Sequence, residues 1–204
     1  MGRYTGPKAR VNRRLNTMVY ENRGAVKAHQ RREQPPGMHI RAGRLSEYGQ
    51  ALQEKQRIKH YYGLGERQLR RFFEIASKRP GNTGETLLIM CEQRLDNVIR
   101  RAGFAQTRPQ ARQGVVHGHF QVNGHKVDCP SYLVRPGDVI TVKPRPNLLK
   151  LYRERVEEPK ENVVPEWLAV DTGELKITVV GVPGPEDTSC PVKNVNLVTE
   201  FLTR

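Results

Sequence analysis

Apolar residues recur at helical spacing through the middle of the chain and alternate with polar ones further on, and this change of period predicts the elements. Beyond Ser46, Tyr48, Ala51, Leu52, Ile58 and Tyr62 share one side of a helix, while Lys55, Arg57 and Lys59 fall elsewhere. Gly63-Leu64-Gly65 interrupts the pattern. From Glu66 to about Lys78, Leu69, Phe72, Phe73 and Ala76 give a second apolar stripe with Arg67, Arg70 and Arg71 outside it, and Pro80-Gly81 stops the helix. Asn82 followed by Glu85 has the form of a capping box, which predicts a helix whose stripe of Leu87, Leu88, Cys91, Leu95, Val98, Ile99 and Ala102 runs on without a break. On this pattern Cys91 is a buried small apolar residue, and Arg94, Arg100 and Arg101 face out. Thr107 as N-cap, Pro109 in the first turn and Gln110 completing a capping box predict a further short helix ending near His117, at Gly118.

The period then shortens. Phe120 and Val122 alternate with polar residues into Asn123-Gly124, a strong hairpin signal, and His125-Lys126-Val127 begins the return strand. Another strand is predicted from Val139 to Val142, after the Pro136-Gly137-Asp138 turn. Leu148, Leu149, Tyr152 and Val156 mark a short amphipathic helix, and Pro159 to Asn162 reads as a polar linker. Trp167 to Asp171, a Thr172-Gly173 turn and Leu175 to Val182 predict a hairpin, and Val195, Val198 and Leu202 a terminal helix from about Asn194.

Residues 1–45 lack such a period, are rich in Arg, Lys, Gly, Pro and Asn, and are expected to be a basic arm without a core of its own. Lys and Arg number 35 against 21 acidic residues, a net charge of +14 that points to a polyanion. The excess is uneven: residues 1–50 carry 11 basic and 3 acidic groups, whereas residues 151–204 carry 6 basic and 10 acidic, so the last quarter is not expected to lie on phosphate throughout and is suited to a basic protein neighbour. Three cysteines are too few and scattered for a disulfide framework, no apolar run reaches the roughly 18 residues of a membrane span, and Met1-Gly2-Arg3-Tyr4 lacks a signal-peptide core. A soluble protein of a reducing compartment is expected, with no membrane and no small-molecule substrate.

The order of elements, with Arg94-Leu95-Asp96, Thr107-Arg108-Pro109-Gln110-Ala111-Arg112-Gln113, Val122-Asn123-Gly124 and Arg135-Pro136-Gly137-Asp138, resembles the alpha-L RNA-binding domain of the small-subunit ribosomal protein S-four family. Arg3 to Lys8, Leu45 to Gly49, Glu54-Lys55-Gln56 and Gly81 to Glu85 extend the likeness over nearly the whole chain. The resemblance implies an α+β protein: a basic extended N-terminal arm (1–45), a mainly helical domain (46–93 with 187–204), and an inserted RNA-binding domain (94–186, core 94–143). The inserted domain would hold two helices and a small, mostly antiparallel sheet, followed by a helix and hairpin extension. It also implies a structural protein that clamps a junction in the 5′ domain of 16S-type ribosomal RNA, nucleates assembly and contributes to translational accuracy.

RNA binding needs cations held on a rigid frame and some flat groups for stacking. The expected contacts are Arg3, Tyr4, Lys8, Arg10, Arg13 and Arg14 in the arm; Tyr48, Lys55, Lys59, Arg67, Arg70 and Arg71 in the helical domain; and Arg94, Arg101, Arg108, Arg112 and Lys126 in the insert. By resemblance, Arg41 and Arg44 would line the messenger's path in a segment that is shorter and less basic than in many relatives. Glu47, Glu200 and Phe201 would face a neighbouring protein of S-five type. Location in a ribosome follows, cytoplasmic by default, with an organelle left open.

Other chemistry finds little support. Some relatives carry a zinc cluster in the arm, but no cysteine precedes Cys91, and His29 with His39 cannot complete a tetrahedral set. His117, His119, His125 and Cys129 lack standard ligand spacing. Neither a metal nor another cofactor is expected. Arg94-Leu95-Asp96 resembles the nucleophile motif of pseudouridine synthases, but the chain has no room for their catalytic domain, and Gly81-Asn82-Thr83-Gly84 reads as a helix cap rather than a KH clamp. The expectation is a non-enzyme, with a free RNA-binding translational regulator or stress factor as the alternative.

Overall fold

The computed structural model describes residues 4–38, 43–157 and 164–203. The chain divides into two compact units, Met1–Leu87 with Ser189–Arg204, and Leu88–Thr188.

The first unit is helical. It contains α1 (Lys8–Leu15), α2 (Arg23–Arg31), α3 (Glu47–Tyr61), α4 (Glu66–Ser77), the opening of α5 (Thr83–Glu92), and α9 (Val195–Thr203). The two helices within residues 1–45 correct the expectation of an arm without a core. Val11, Leu15, Val19, Tyr20 and Ala25 are buried, and so is Asn12, whose Oδ1 accepts from the Val19 and Tyr20 amides (3.2 and 2.9 Å) while its Nδ2 donates to the Tyr20 carbonyl (2.9 Å). A buried asparagine, fully bonded, does there what an apolar residue would do in a conventional stripe, and polar residues of this kind escape a hydrophobicity pattern. Within α3 the buried face includes charge. Arg57 pairs with Glu54 and also donates to the Leu15 carbonyl (3.0 Å), and Glu54 accepts from the Lys193 amide (3.1 Å), so one ion pair ties the end of α1 and the lead into α9 to the same helix.

Asn82 caps α5 by accepting from the Gly84 amide (3.0 Å), and its side-chain amide donates to Glu85 (3.0 Å). Glycine at 84 is required by close approach: a Cβ there would stand 2.4 Å from Val195 Cγ1 of α9.

In the second unit the predicted continuous helix is broken. After the end of α5, Arg94 is extended (φ −66°, ψ 137°) and α6 begins at Leu95, running to Arg101. Tertiary pairing is the cause: the Val134 amide donates to the Gln93 carbonyl (2.9 Å) and the Leu95 amide to the Tyr132 carbonyl (2.8 Å), so residues 93–95 serve as a short strand against 132–134. The apolar stripe persists through the break, which is why periodicity alone could not reveal it. Next, α7 (Arg108–Val116) starts at Thr107 without a side-chain cap, and the expected capping box is absent because Gln110 instead accepts from the Gln106 amide (2.9 Å).

Strands β1 (Phe120–Val122) and β2 (His125–Lys126) are joined by Asn123 and Gly124, both at positive φ (51° and 79°), the two-residue turn that suits strand twist. They continue into β3 (Val139–Val142), α8 (Pro146–Glu157), β4 (Leu168–Asp171) and β5 (Lys176–Val179). All pairings are antiparallel, in the order β2-β1-β3-β5-β4, with Ile140 opposite Ile177 where the late hairpin joins. The hairpin expected as an extension therefore completes a five-stranded sheet. Leu95, Val98 and Ile99 of α6, Ala111 and Val115 of α7, Tyr152 of α8, and Phe120, Ile140, Leu168 and Ile177 of the sheet close one core.

Candidate nucleic-acid interface

The arginines of α6 and α7 are organised by two buried acids. Asp96, in the first turn of α6, accepts from Arg94 through both carboxylate oxygens, from Nε (3.0 Å) and from the terminal guanidinium nitrogen (2.6 Å), and again from Arg112 of α7 at 3.3 Å. The side chain of Arg94 is fully buried, and that of Arg112 retains 12% of its exposure. Arg94 is therefore an interior counter-ion rather than the outward-facing RNA ligand expected from the stripe, and Asp96 is a buried acid in the first turn of α6. Arg100 is also buried, against expectation. The reason is local: once the chain is extended at Arg94, its side chain no longer follows helix geometry and turns back onto Asp96.

A second relay starts at Glu92, which is fully buried. Asn97 Nδ2 donates to the Glu92 carbonyl (3.2 Å) and carboxylate (2.5 Å), which turns its Oδ1 outward to accept from Arg108 Nε at 2.9 Å. Arg101 lies with Nε 3.8 Å from the same Glu92 carboxylate and donates to the Asp187 carbonyl at 2.8 Å. Each rim arginine, Arg101, Arg108 and Arg112, is thus held from the inner side while its residue stays partly exposed. A guanidinium fixed in this way keeps its fork geometry, which matches phosphate, and loses less side-chain freedom on binding. Cys91, next to Glu92 in α5, is wholly buried, and burial pushes its thiol well up, so it serves as a small apolar residue. Lys126 on β2 is exposed and 3.7 Å from Asp128.

In the first unit, Arg67, Arg70 and Arg71 are exposed on the outer side of α4. Lys55 is buried: its ammonium pairs with Glu66 (2.6 Å) and lies 4.6 Å from the Phe201 ring centroid. Lys59 binds the other oxygen of Glu66 (3.0 Å). Burial alone would raise the Glu66 carboxyl, but the hydrogen bonds and charges of Lys55 and Lys59 outweigh it and hold the group below its ordinary value. Lys55, taken in the sequence as an RNA contact, is committed to an interior pair. Tyr48 is exposed and tilts over Phe201 at 5.3 Å between ring centroids, while Tyr61 and Tyr62 are buried.

Around α1, Arg10 and Arg14 are exposed, and Arg13 donates to the Gln34 and Pro35 carbonyls (2.7 and 3.2 Å). Tyr4, exposed, meets the His60 ring edge-on at 5.1 Å, and Lys8 lies 5.8 Å from the Tyr20 ring. Arg44, Glu47 and Glu200 are exposed and Phe201 is half-buried, whereas Arg3 and Arg41 fall outside the described residues. The two buried acids and Asn97 were missed by sequence reading. The only available signal was that Glu92, Asp96 and Asn97 are polar within an apolar stretch. Among the described residues no three His, Cys, Asp or Glu side chains stand together as a metal site, and no helix is long and apolar enough to cross a membrane.

A small α+β unit whose helices present anchored arginines defines an RNA-binding protein, and the match of residues 93–140 to the S4 domain agrees. Residues 3–92 match the ribosomal protein S4/S9 N-terminal domain. The chain is 59% identical to small ribosomal subunit protein uS4 of Rhodopirellula baltica, with all of both chains covered. It is 47% identical to that of Thermus thermophilus and 44% to that of Aquifex aeolicus, again over the full length of each. The chain belongs to the uS4 family, a structural family of the small ribosomal subunit and not one of enzymes.

Proposed function

We propose that this protein binds ribosomal RNA as a structural constituent of the small subunit, gripping a helical junction of the 16S-type 5′ domain and nucleating assembly there. The observation that carries this reading is the pair of relays from Glu92 and Asp96, which fixes Arg101, Arg108 and Arg112 on one compact unit. Arg67, Arg70 and Arg71 of α4, with Arg10 and Arg14 of α1, add phosphate contacts from the other unit. In the same reading residues 46–93 with 187–204 act as the helical domain, 94–186 as the inserted RNA-binding domain and the basic residues 1–45, with the small core described above, as an N-terminal extension; Arg44 with Arg41 lies on the messenger's path and bears on accuracy, and Glu47, Glu200 and Phe201 meet an S-five-type neighbour. The ribosome in question is cytoplasmic.

The test is binding to a transcript of the small-subunit 5′ domain across a salt series. Affinity should fall steeply with salt, and Arg108→Gln and Arg112→Gln should each weaken binding and reduce the slope of log K on log salt by about one. A flat salt dependence, or wild-type binding by the double variant, would overturn the assignment.

A further inference from the structure

A second group of cations gathers at the other end of α7, and His117, His119, Arg145 and Arg155 in it are not among the contacts above. His117 is the C-cap of α7, and its ring lies 5.8 Å from that of His119, just before β1. His119 Nδ1 is 3.0 Å from the hydroxyl of Tyr152, a buried residue of α8. The Arg155 guanidinium stands 5.2 Å from the Tyr152 ring centroid. Arg145 is brought alongside by backbone bonds: the Lys143 amide donates to the His119 carbonyl (2.8 Å) and the Arg145 amide to the Lys143 carbonyl (2.7 Å). Gly118 lies beneath the Lys126 side chain, whose acid, Asp128, is 3.7 Å from its ammonium. The groups facing His119 are thus His117 from α7, Arg145 from the turn after β3, and Tyr152 and Arg155 from α8, with Lys126 of β2 at the margin. His117 and Arg145 are exposed, and His119 and Arg155 half-exposed.

We propose that His117, His119, Arg145 and Arg155, floored by Tyr152, form a second phosphate-binding site for RNA that takes up a proton as the backbone docks. The inference rests on the RNA-binding function proposed above and adds a site and its regulation. Burial and the nearby positive groups, His117, Arg155 and Arg145, hold the free His119 imidazole below its ordinary value, so it is largely neutral at pH 7. A phosphodiester reverses that field. The proton comes from solvent, Nδ1–H donates to the Tyr152 oxygen, and the other ring nitrogen is left to donate to phosphate. A group whose affinity for protons rises on binding makes binding tighter as pH falls.

The test uses the full-length protein and the 5′-domain transcript, at constant salt, between about pH 8 and pH 6. Wild type should tighten at least about threefold over that range. His117→Gln with His119→Gln should flatten the profile while keeping the thermal transition, and Arg145→Gln and Arg155→Gln should each lower the salt slope by about one at either pH. A pH dependence that survives the double histidine variant overturns the proposal, as does wild-type affinity in both arginine variants. If these variants change retention by whole small subunits but not binding to the naked transcript, the surface serves a protein and the proposal again fails. Wild type that binds the transcript normally while these variants do nothing sinks only the second site; wild type that shows no salt-dependent binding sinks the RNA reading itself.

Discussion

At the scale of single residues, a charged side chain beside the partly exposed arginines can itself be committed to an interior pair. Arg94 sits with its side chain fully buried, in a two-point bond to Asp96, and Asp96 in turn steadies Arg112. Removing one partner of such a pair strands the other charge in the interior, so Arg94→Ala should cost about 3–5 kcal/mol of stability, far more than substitution of a rim arginine. Chemical denaturation of the variant checks this, and a loss under about 1 kcal/mol, the range of an exposed pair, would contradict the buried geometry. Any loss of RNA affinity in an Arg94 variant therefore measures folding as well as contact. Variants at Arg108 and Arg112 report on the interface more directly, since both arginines keep part of their surface.

At the scale of elements, α9 is held to the start of α5 through a glycine. With Gly84 replaced by Ala, the new methyl would overlap Val195 Cγ1, and backbone on one side or helix α9 on the other has to move. Overpacking of this kind costs about 1–3 kcal/mol, and Val195→Ala in the same chain should recover part of it by clearing the methyl. Thermal melts of the single and double variants decide the matter: additive losses would show that the two positions do not meet. The break between α5 and α6 belongs to this scale too. It arises because residues 93–95 find strand partners at 132–134, and it creates the extended Arg94 on which the first relay depends.

At the scale of the whole molecule, acid should loosen the free protein in both units. Burial, with Lys59 beside it, lowers the His60 imidazole in the first unit, where Nδ1 lies 3.1 Å from the Tyr20 hydroxyl; His119 is lowered in the second. A group whose folded value lies below its unfolded value contributes stability that is present above the unfolded value, 6.5 for histidine, and is lost as pH falls through the folded one. Glu66, held down by Lys55 and Lys59, extends the same trend to lower pH, below its ordinary 4.5. Denaturant midpoints should therefore drop as pH is lowered from about 7, and His60→Gln with His119→Gln should remove the earlier part of the fall. Midpoints that stay level from pH 7 to 5 in the wild type would contradict both assignments. Bound RNA should offset the contribution of His119 if its second site is occupied.

Apart from the break between α5 and α6, the sequence by itself determined the order of the elements beyond Ser46, and with it the Asn123-Gly124 hairpin, the bounds of β3 and the excess of positive charge, because each of these is written in local period, turn chemistry or composition. It also identified the family, since motifs such as Arg94-Leu95-Asp96 are contiguous. Tertiary structure decided which charges are available. Asn97, oriented by Glu92, reaches Arg108 across eleven positions of chain, Asp96 reaches Arg112 across sixteen, and Lys55 is withdrawn onto Glu66. It also decided that the late hairpin joins β3 in one sheet and that Asn12 anchors helices in a segment without an apolar stripe. Hydrophobic period registers only where the chain turns its apolar side; the pairing of buried charges depends on which segments meet, and that is fixed only when the chain has folded.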